Sequence, residues 1–243
     1  MNVIKRVKDN FMLLNIPKHK NILFQILKDI YSDTSISPFL GFKGGTAAYM
    51  FHDLSRFSVD LDFDLLNTDE EENVFSRIEG IVKKYGQIKE SRIKRHNLFF
   101  LLSYEEKAQN IKVEINRRSF GSEYELKTSL GVSMLVMNRD DMFAHKLMAM
   151  YERMGRSNRD IYDVWFFLKN NWPINKKIVI NRSEVSFGNF LNKCIGKLED
   201  MPERSILSGI GELLDQKQKV WAKEHLKEDT IFLLRLLLDA EGG

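Results

Sequence analysis

Cysteine is almost missing from this chain: Cys194 stands alone among 243 residues. An internal disulfide and a cysteine-rich zinc centre are thereby excluded, and a reducing, cytoplasmic location is expected. The five histidines, His19, His52, His96, His145 and His225, show no ligand spacing of the His-Glu-x-x-His kind, so a histidine-built metal centre is not expected either. Long apolar runs are also lacking. Met1 to Phe11 carries scattered charges and no apolar h-region, and the apolar stretch near the C-terminus is broken by Arg235; neither a signal peptide nor a membrane span is expected. No internal repeat or low-complexity tract is visible. The net charge of +3 is too small to demand a nucleic-acid partner and does not forbid one, because a local patch matters more than the sum.

What is present is a regular alternation of elements. Asn21 to Tyr31 has the apolar spacing of a one-sided helix, and Phe39 to Phe42 reads as a short buried strand ended by Gly44-Gly45. A helix over Thr46 to Phe51, a strand over Val59 to Leu66 and a helix over Asp69 to Tyr85 follow, the last opened by acidic residues suited to a helix N-terminus. Gln87 to His96, Leu98 to Tyr104, Ile111 to Arg117 and Gly131 to Met137 read as strands. Helices are expected over Asp140 to Met154, Arg159 to Asn170, Phe187 to Glu199 and a terminal region reaching Leu238, with Trp172-Pro173 as a stop. The pattern divides into a sheet-bearing unit over residues 1–134 and a helical unit over 135–243.

Gly44-Gly45-Thr46 is followed fourteen residues after its first glycine by Ser58-Val59-Asp60-Leu61-Asp62. A glycine pair at a strand-to-helix turn offers free backbone N–H groups and a helix dipole to an anion. On a strand, Asp60 and Asp62 project from one face, where their charges repel unless a cation lies between them. Magnesium, or manganese, is the natural cation, since a hard divalent ion takes a few carboxylates and fills its remaining positions with water and substrate phosphates. Glu114, on the polar face of Ile111 to Arg117 with Lys112 and Asn116, is the candidate third carboxylate; a solvent-facing strand residue is its other reading. Asp64 shares the face and is a further candidate for the metal or its surroundings. The glycine pair matches neither the Walker A loop nor the dinucleotide fingerprint.

A second cluster spans Lys146 to Asp163. Lys146 and Arg153 fall on one helix face about two turns apart, a pairing suited to triphosphate, while Asp160 and Asp163 share a face of the next helix. Either carboxylate could orient Lys146 or act as base towards an acceptor hydroxyl; a purely structural interhelical ion-pair network is the competing reading. Arg92, Lys94, Arg95 and His96, with Arg117-Arg118, read either as an RNA-phosphate track or as a solvated edge.

Phe42 to Phe63, with Gly44-Gly45-Thr46, Arg56, Ser58, Asp60 and Asp62, together with Lys146, Arg153 and Arg159-Asp160-Ile161-Tyr162-Asp163, resembles the AbiEii/AbiGii-type nucleotidyltransferase toxins. The resemblance covers roughly residues 39 to 168; Asp64 departs from the apolar residue more usual there. It implies an α/β (α+β) fold, a mixed-sheet polymerase-β-like nucleotidyltransferase core plus a C-terminal helical domain, and a toxin–antitoxin or phage-defence role. By position it implies that Gly44, Gly45, Thr46 and Ser58 hold the phosphates, that Asp60 and Asp62 hold metal, and that Lys146 and Asp163 belong to the catalytic set. An NTP substrate, an acceptor such as the tRNA 3′ end, another RNA or a protein hydroxyl, and a cognate antitoxin protein follow as expectations. Two other readings stay open: a small-molecule nucleotidyltransferase of the aminoglycoside-modifying kind, and a nucleotide- or partner-binding module without turnover.

Overall fold

The computed structural model describes residues 14–106 and 108–242. The expectation for Met1 to Phe11 lies outside the described residues. The chain runs α1 (Ile16–Ser32), β1 (Leu40–Lys43), α2 (Gly44–Phe51), β2 (Leu61–Leu65), α3 (Glu71–Lys83), β3 (Gln87–Ile93), β4 (Asn97–Ser103), β5 (Ile111–Asn116), β6 (Tyr124–Ser129), β7 (Val132–Met137), α4 (Arg139–Arg153), α5 (Arg159–Lys169), α6 (Lys176–Ser183), α7 (Phe187–Glu199) and α8 (Gln216–Gly242). Strands give way to helices at Asn138.

The strands form one mixed sheet in the order β3-β4-β5-β2-β1-β7-β6. β1 and β2 are antiparallel neighbours at its centre, and each has a parallel partner on its other side, β7 for β1 and β5 for β2. The register runs one polar row across five strands: Lys43 opposite Asp62, Asp62 opposite Glu114, Glu114 opposite Phe99, and Phe99 opposite Arg92. Alternation sends the odd residues of β2 to the other face. There Phe63 meets Tyr31 of α1 and Phe42 of β1, while Phe75 of α3 packs on Phe100 of β4. One face is thus apolar and covered by α1 and α3, which leaves the polar row free to face the helices of the second half.

Three local signals explain where the elements differ from expectation. α1 begins five residues before Asn21 because the Asn15 side chain accepts from the Lys18 N–H and Pro17 fits the first turn. β6 carries no apolar run, only Tyr-Glu-Leu-Lys-Thr-Ser at the sheet edge; it pairs with β7 through the two-residue turn Leu130-Gly131, both at positive φ. Gly131 therefore belongs to a turn and not to the strand expected there. α6 buries only Ile178 and Val179, too little to give a readable stripe. Among the described residues no helix is long and apolar enough to cross a membrane.

Candidate active site

The acidic side of the site is built by β2 and β5. Asp62 and Glu114 lie opposite each other in a parallel pair, an arrangement of like charges that is destabilising without compensation. Lys112 compensates it: its Nζ is 3.0 Å from Glu114, 3.8 Å from Asp60 and 4.0 Å from Asp62. Arg159 reaches Asp60 from α5 at 3.4 Å. Burial alone would raise the Asp62 carboxyl, but Lys112, Arg159, Lys146 and Lys43 together hold it below the ordinary carboxylate range. Lys112 in turn is pushed up against its own desolvation by Asp62, Asp60 and Glu114.

Asp64 is engaged differently. Its Oδ1 accepts from Lys43 at 2.5 Å and from Asn116 at 2.6 Å, and its Oδ2 from the Tyr124 hydroxyl at 2.6 Å. Tyr124 can lie over β1 because Gly41 has no Cβ; one there would fall 2.2 Å from its ring. Asp64 thus anchors the neighbouring strands around Lys43, whereas Asp60, Asp62 and Glu114 converge on the Lys112 ammonium, Glu114 also accepting from the Asn97 amide through its other oxygen. Among the described residues no three His, Cys, Asp or Glu side chains stand ready as ligands of a single ion. The donor chemistry of this trio, hard carboxylate oxygens gathered about a cation, nevertheless fits a divalent ion such as magnesium.

The glycine turn abuts the same carboxylates. Gly44 begins α2 at φ +79°, and a Cβ there would lie 2.6 Å from the Asp62 carboxylate. A Cβ at Gly45 would lie 2.8 Å from Ser58 Oγ. Both glycines are therefore required by space, and the first also by backbone conformation. The Thr46 hydroxyl donates to the Asp60 carbonyl, which ties the first turn of α2 to the start of β2. Thr46 acts on the site through this tether, with its side chain buried.

The cationic side comes from α4 and α5. Lys146 Nζ bridges Asp160 at 3.0 Å and Asp163 at 2.7 Å, and Arg153 meets the other Asp160 oxygen at 2.6 Å. Asp163 is fully buried and also receives both arms of Arg56, at 2.6 and 2.7 Å. Desolvation would raise its carboxyl; Arg56 and Lys146 override it and lower the group to about 2. Asp160 and Asp163 thus orient Lys146 and are shielded from an acceptor, and the ion-pair network and the cleft-facing cation are two aspects of one assembly.

A single cleft collects these elements between the polar face of the sheet and α4–α6. Gly44, Gly45, Ser58, Asp62, Glu114 and Lys146 line it; Thr46, Asp60 and Asp163 lie just behind. Eight lining residues are Lys or Arg, against two carboxylates, so the cavity is strongly suited to a polyanion. Several of these were not singled out from the sequence. Lys112 was legible in principle, two residues before Glu114 on the same alternating face. Lys43 ends a strand read as apolar, and Arg182 comes from α6, whose stripe is too weak to read. Arg182 donates to His145 Nδ1 at 2.9 Å, so His145 Nε2 carries the proton and donates to Ser122 Oγ at 2.7 Å. Burial, then Lys43 and Arg182, lower the His145 ring to about 3 and keep it neutral.

Comparison with known proteins bears on the fold and on the family. No curated protein matches the chain in sequence. A Helicobacter pylori protein assigned as a nucleotidyltransferase superposes with a TM-score of 0.58 at 20% identity, over 92% of this chain and 95% of the other. JHP933 from Helicobacter pylori superposes with a TM-score of 0.53 at 18% identity, over 93% and 96%. At such identities the likeness establishes the mixed α/β fold. Residues 25–224 match the family model described as nucleotidyl transferase AbiEii toxin, type IV TA system, and with most of the chain so matched, this protein belongs to the AbiEii family of nucleotidyltransferase toxins.

Proposed function

We propose that the protein transfers a nucleoside monophosphate from an NTP to an acceptor hydroxyl. A bond forms from the acceptor oxygen to the α-phosphorus as the bond to the β-phosphate breaks, releasing pyrophosphate. The observation that carries this reading is the convergence of Asp60, Asp62 and Glu114 on one cation, at the wall of a cleft otherwise dominated by Lys and Arg. Asp60, Asp62 and Glu114 would hold magnesium or manganese, which when bound neutralises charge on the reacting phosphates. Gly44 and Gly45 let the N-terminus of α2 approach the triphosphate, with Ser58 beside them. Lys146, held by Asp160 and Asp163, supplies a fixed cation to charge that develops during transfer, and Asp163 serves as a positioning residue.

The proposed unit boundaries, residues 1–134 and 135–243, assign the acidic wall to the first unit and Lys146 to the second, with the substrate between them. The proposed acceptor is an RNA, the tRNA 3′ end among RNAs, or a protein hydroxyl; an antitoxin completes the toxin's cellular setting. Arg92 supports the RNA reading, because it is exposed at the far end of the same polar row as Glu114 and Asp62. Lys94 supports it less: both residues approach Glu90, Lys94 at 3.1 Å and Arg92 at 3.7 Å, and Lys94 also lies over Phe99. Incubation with each α-labelled NTP, magnesium, total RNA and cell protein tests the proposal. Label in RNA or protein supports it, label only in a small molecule moves the acceptor to that class, and no label with any NTP contradicts it.

A further inference from the structure

Lys112, which compensates the charge of the acidic trio, lies within 4.0 Å of all three carboxylates. Its position is imposed by the sheet: Leu61 pairs with Val113 and Asp62 with Glu114, so the next step back along the parallel pair sets Lys112 beside Asp60. Lys112 and Glu114 are two residues apart on one strand and share a face, as Asp60 and Asp62 do on the neighbouring segment. Four side chains thus form a square in which three are negative and one positive. The lysine side chain is about a quarter exposed, at 24%, so its ammonium can leave the square for the cleft that it also lines.

We propose that Lys112 is a built-in counter-cation that holds Asp60, Asp62 and Glu114 together before a divalent ion binds and must be displaced for that ion to enter. The inference rests on the proposed metal site and adds a competition to it. An ammonium and a divalent ion cannot both occupy the point about which these carboxylates are gathered. Its electrostatic consequence is that a free divalent ion enters weakly. An ion arriving with triphosphate enters more readily, since the polyanion attracts the released ammonium to the cleft. Lys112 is thereby a positioning residue that makes metal loading depend on substrate.

The two cations differ in what they demand. Lysine is a compact point charge on a flexible stem, well suited to leaving a site without disturbing the strand that carries it. Arg159, the other cation on Asp60, begins α5 and lies within 4 Å of Asp60 alone among the three carboxylates, with a guanidinium that also faces Asp160, Asp62 and Asp163. Displacement therefore falls to Lys112.

Manganese titration in the absence of nucleotide, followed by the electron paramagnetic resonance signal of the free ion, tests the proposal. Lys112→Met removes the charge and keeps the stem; its Mn2+ Kd should fall about tenfold or more, a conservative figure for removing one competing unit charge about 4 Å away in a partly solvated site. Lys112→Gln should behave likewise, which guards against a folding defect in one variant, and Lys112→Arg, which keeps the competing charge, should bind Mn2+ no more tightly than wild type. Without metal, Lys112→Met should melt below wild type, and manganese should raise its melting temperature more than it raises that of wild type. Unchanged or weaker Mn2+ binding in both neutral variants overturns the proposal. Asp62→Asn separates the two levels: if it abolishes binding while Lys112→Met leaves Kd unchanged, the metal site stands and the competition fails, whereas no binding by any variant defeats both.

Discussion

Arg56 and Asp163 form a fully buried bidentate ion pair, Nε to Oδ1 at 2.6 Å and a terminal nitrogen to Oδ2 at 2.7 Å, joining the segment after α2 to α5. Asp163 spends its remaining capacity on Lys146, so one carboxylate links the glycine-turn side of the cleft to its principal cation. Replacing one member leaves the other charge buried without a partner. Asp163→Asn should therefore lose about 3–5 kcal/mol of stability in urea unfolding. The double variant Arg56→Met with Asp163→Leu should lose less than the sum of the two single changes.

The same pair sets a pH response. The Asp163 carboxyl is lowered from 3.8 to about 2 on folding, so the unfolded chain binds a proton more readily. Its stabilisation is fully present above pH 4 and is lost as pH falls towards 2. His145 is lowered from 6.5 to about 3, and because its neutral form is the folded one, its contribution is complete above pH 7 and declines as pH falls from 6.5 towards 3. Unfolding free energy measured from pH 8 to pH 3 should decline on acidification, and His145→Asn should flatten the part between pH 6.5 and 4.

Gly44→Ala places a methyl group against the Asp62 carboxylate at a positive φ. A backbone conformation of this kind costs about 1–3 kcal/mol in a residue with a side chain, and the clash falls on the site itself. We expect transfer to drop at least tenfold with the fold retained by circular dichroism. Gly80→Ala is the control, since a Cβ there meets nothing within 4 Å.

Lys146→Ala should weaken binding of a non-hydrolysable NTP and slow transfer, with the loss larger in kcat/KM than in binding, because charge builds up during the reaction. Lys146→Arg should not restore activity, since a planar guanidinium cannot occupy the place of a compact ammonium set between Asp160 and Asp163. Calorimetry and initial rates give the two quantities. Equal affinity and rate in wild type and Lys146→Ala would leave this lysine a purely structural role.

Much of this was legible from local patterns. The alternation of Ile111 to Asn116 put Glu114 on the polar face, and Asp60 and Asp62 announced themselves because aspartate is disfavoured in strands. Lys146, Asp160 and Asp163 were readable as a facing pair of helix surfaces. Position across chains of contacts was not readable. Whether Asp64 or Glu114 joins the pair depends on Lys43, Asn116 and Tyr124 converging on Asp64, and Tyr124 belongs to an edge strand with no apolar period. The role of Arg56 depends on a partner more than a hundred residues away, and that of Arg182 on a helix with two buried side chains.

The central claim is that the carboxylates of β2 and the residue before it make nucleotidyl transfer possible. Its most direct measurement is release of pyrophosphate from NTP, with matched labelling of an acceptor, by wild type, Asp60→Asn and Asp62→Asn in magnesium and in chelator. Each substitution deletes a charge at nearly constant size. The account predicts transfer by wild type in magnesium alone, and loss of at least a hundredfold, about 2.7 kcal/mol of transition-state stabilisation, in each variant with an unchanged circular dichroism spectrum. Undiminished transfer by both variants, or by wild type in chelator, would contradict it.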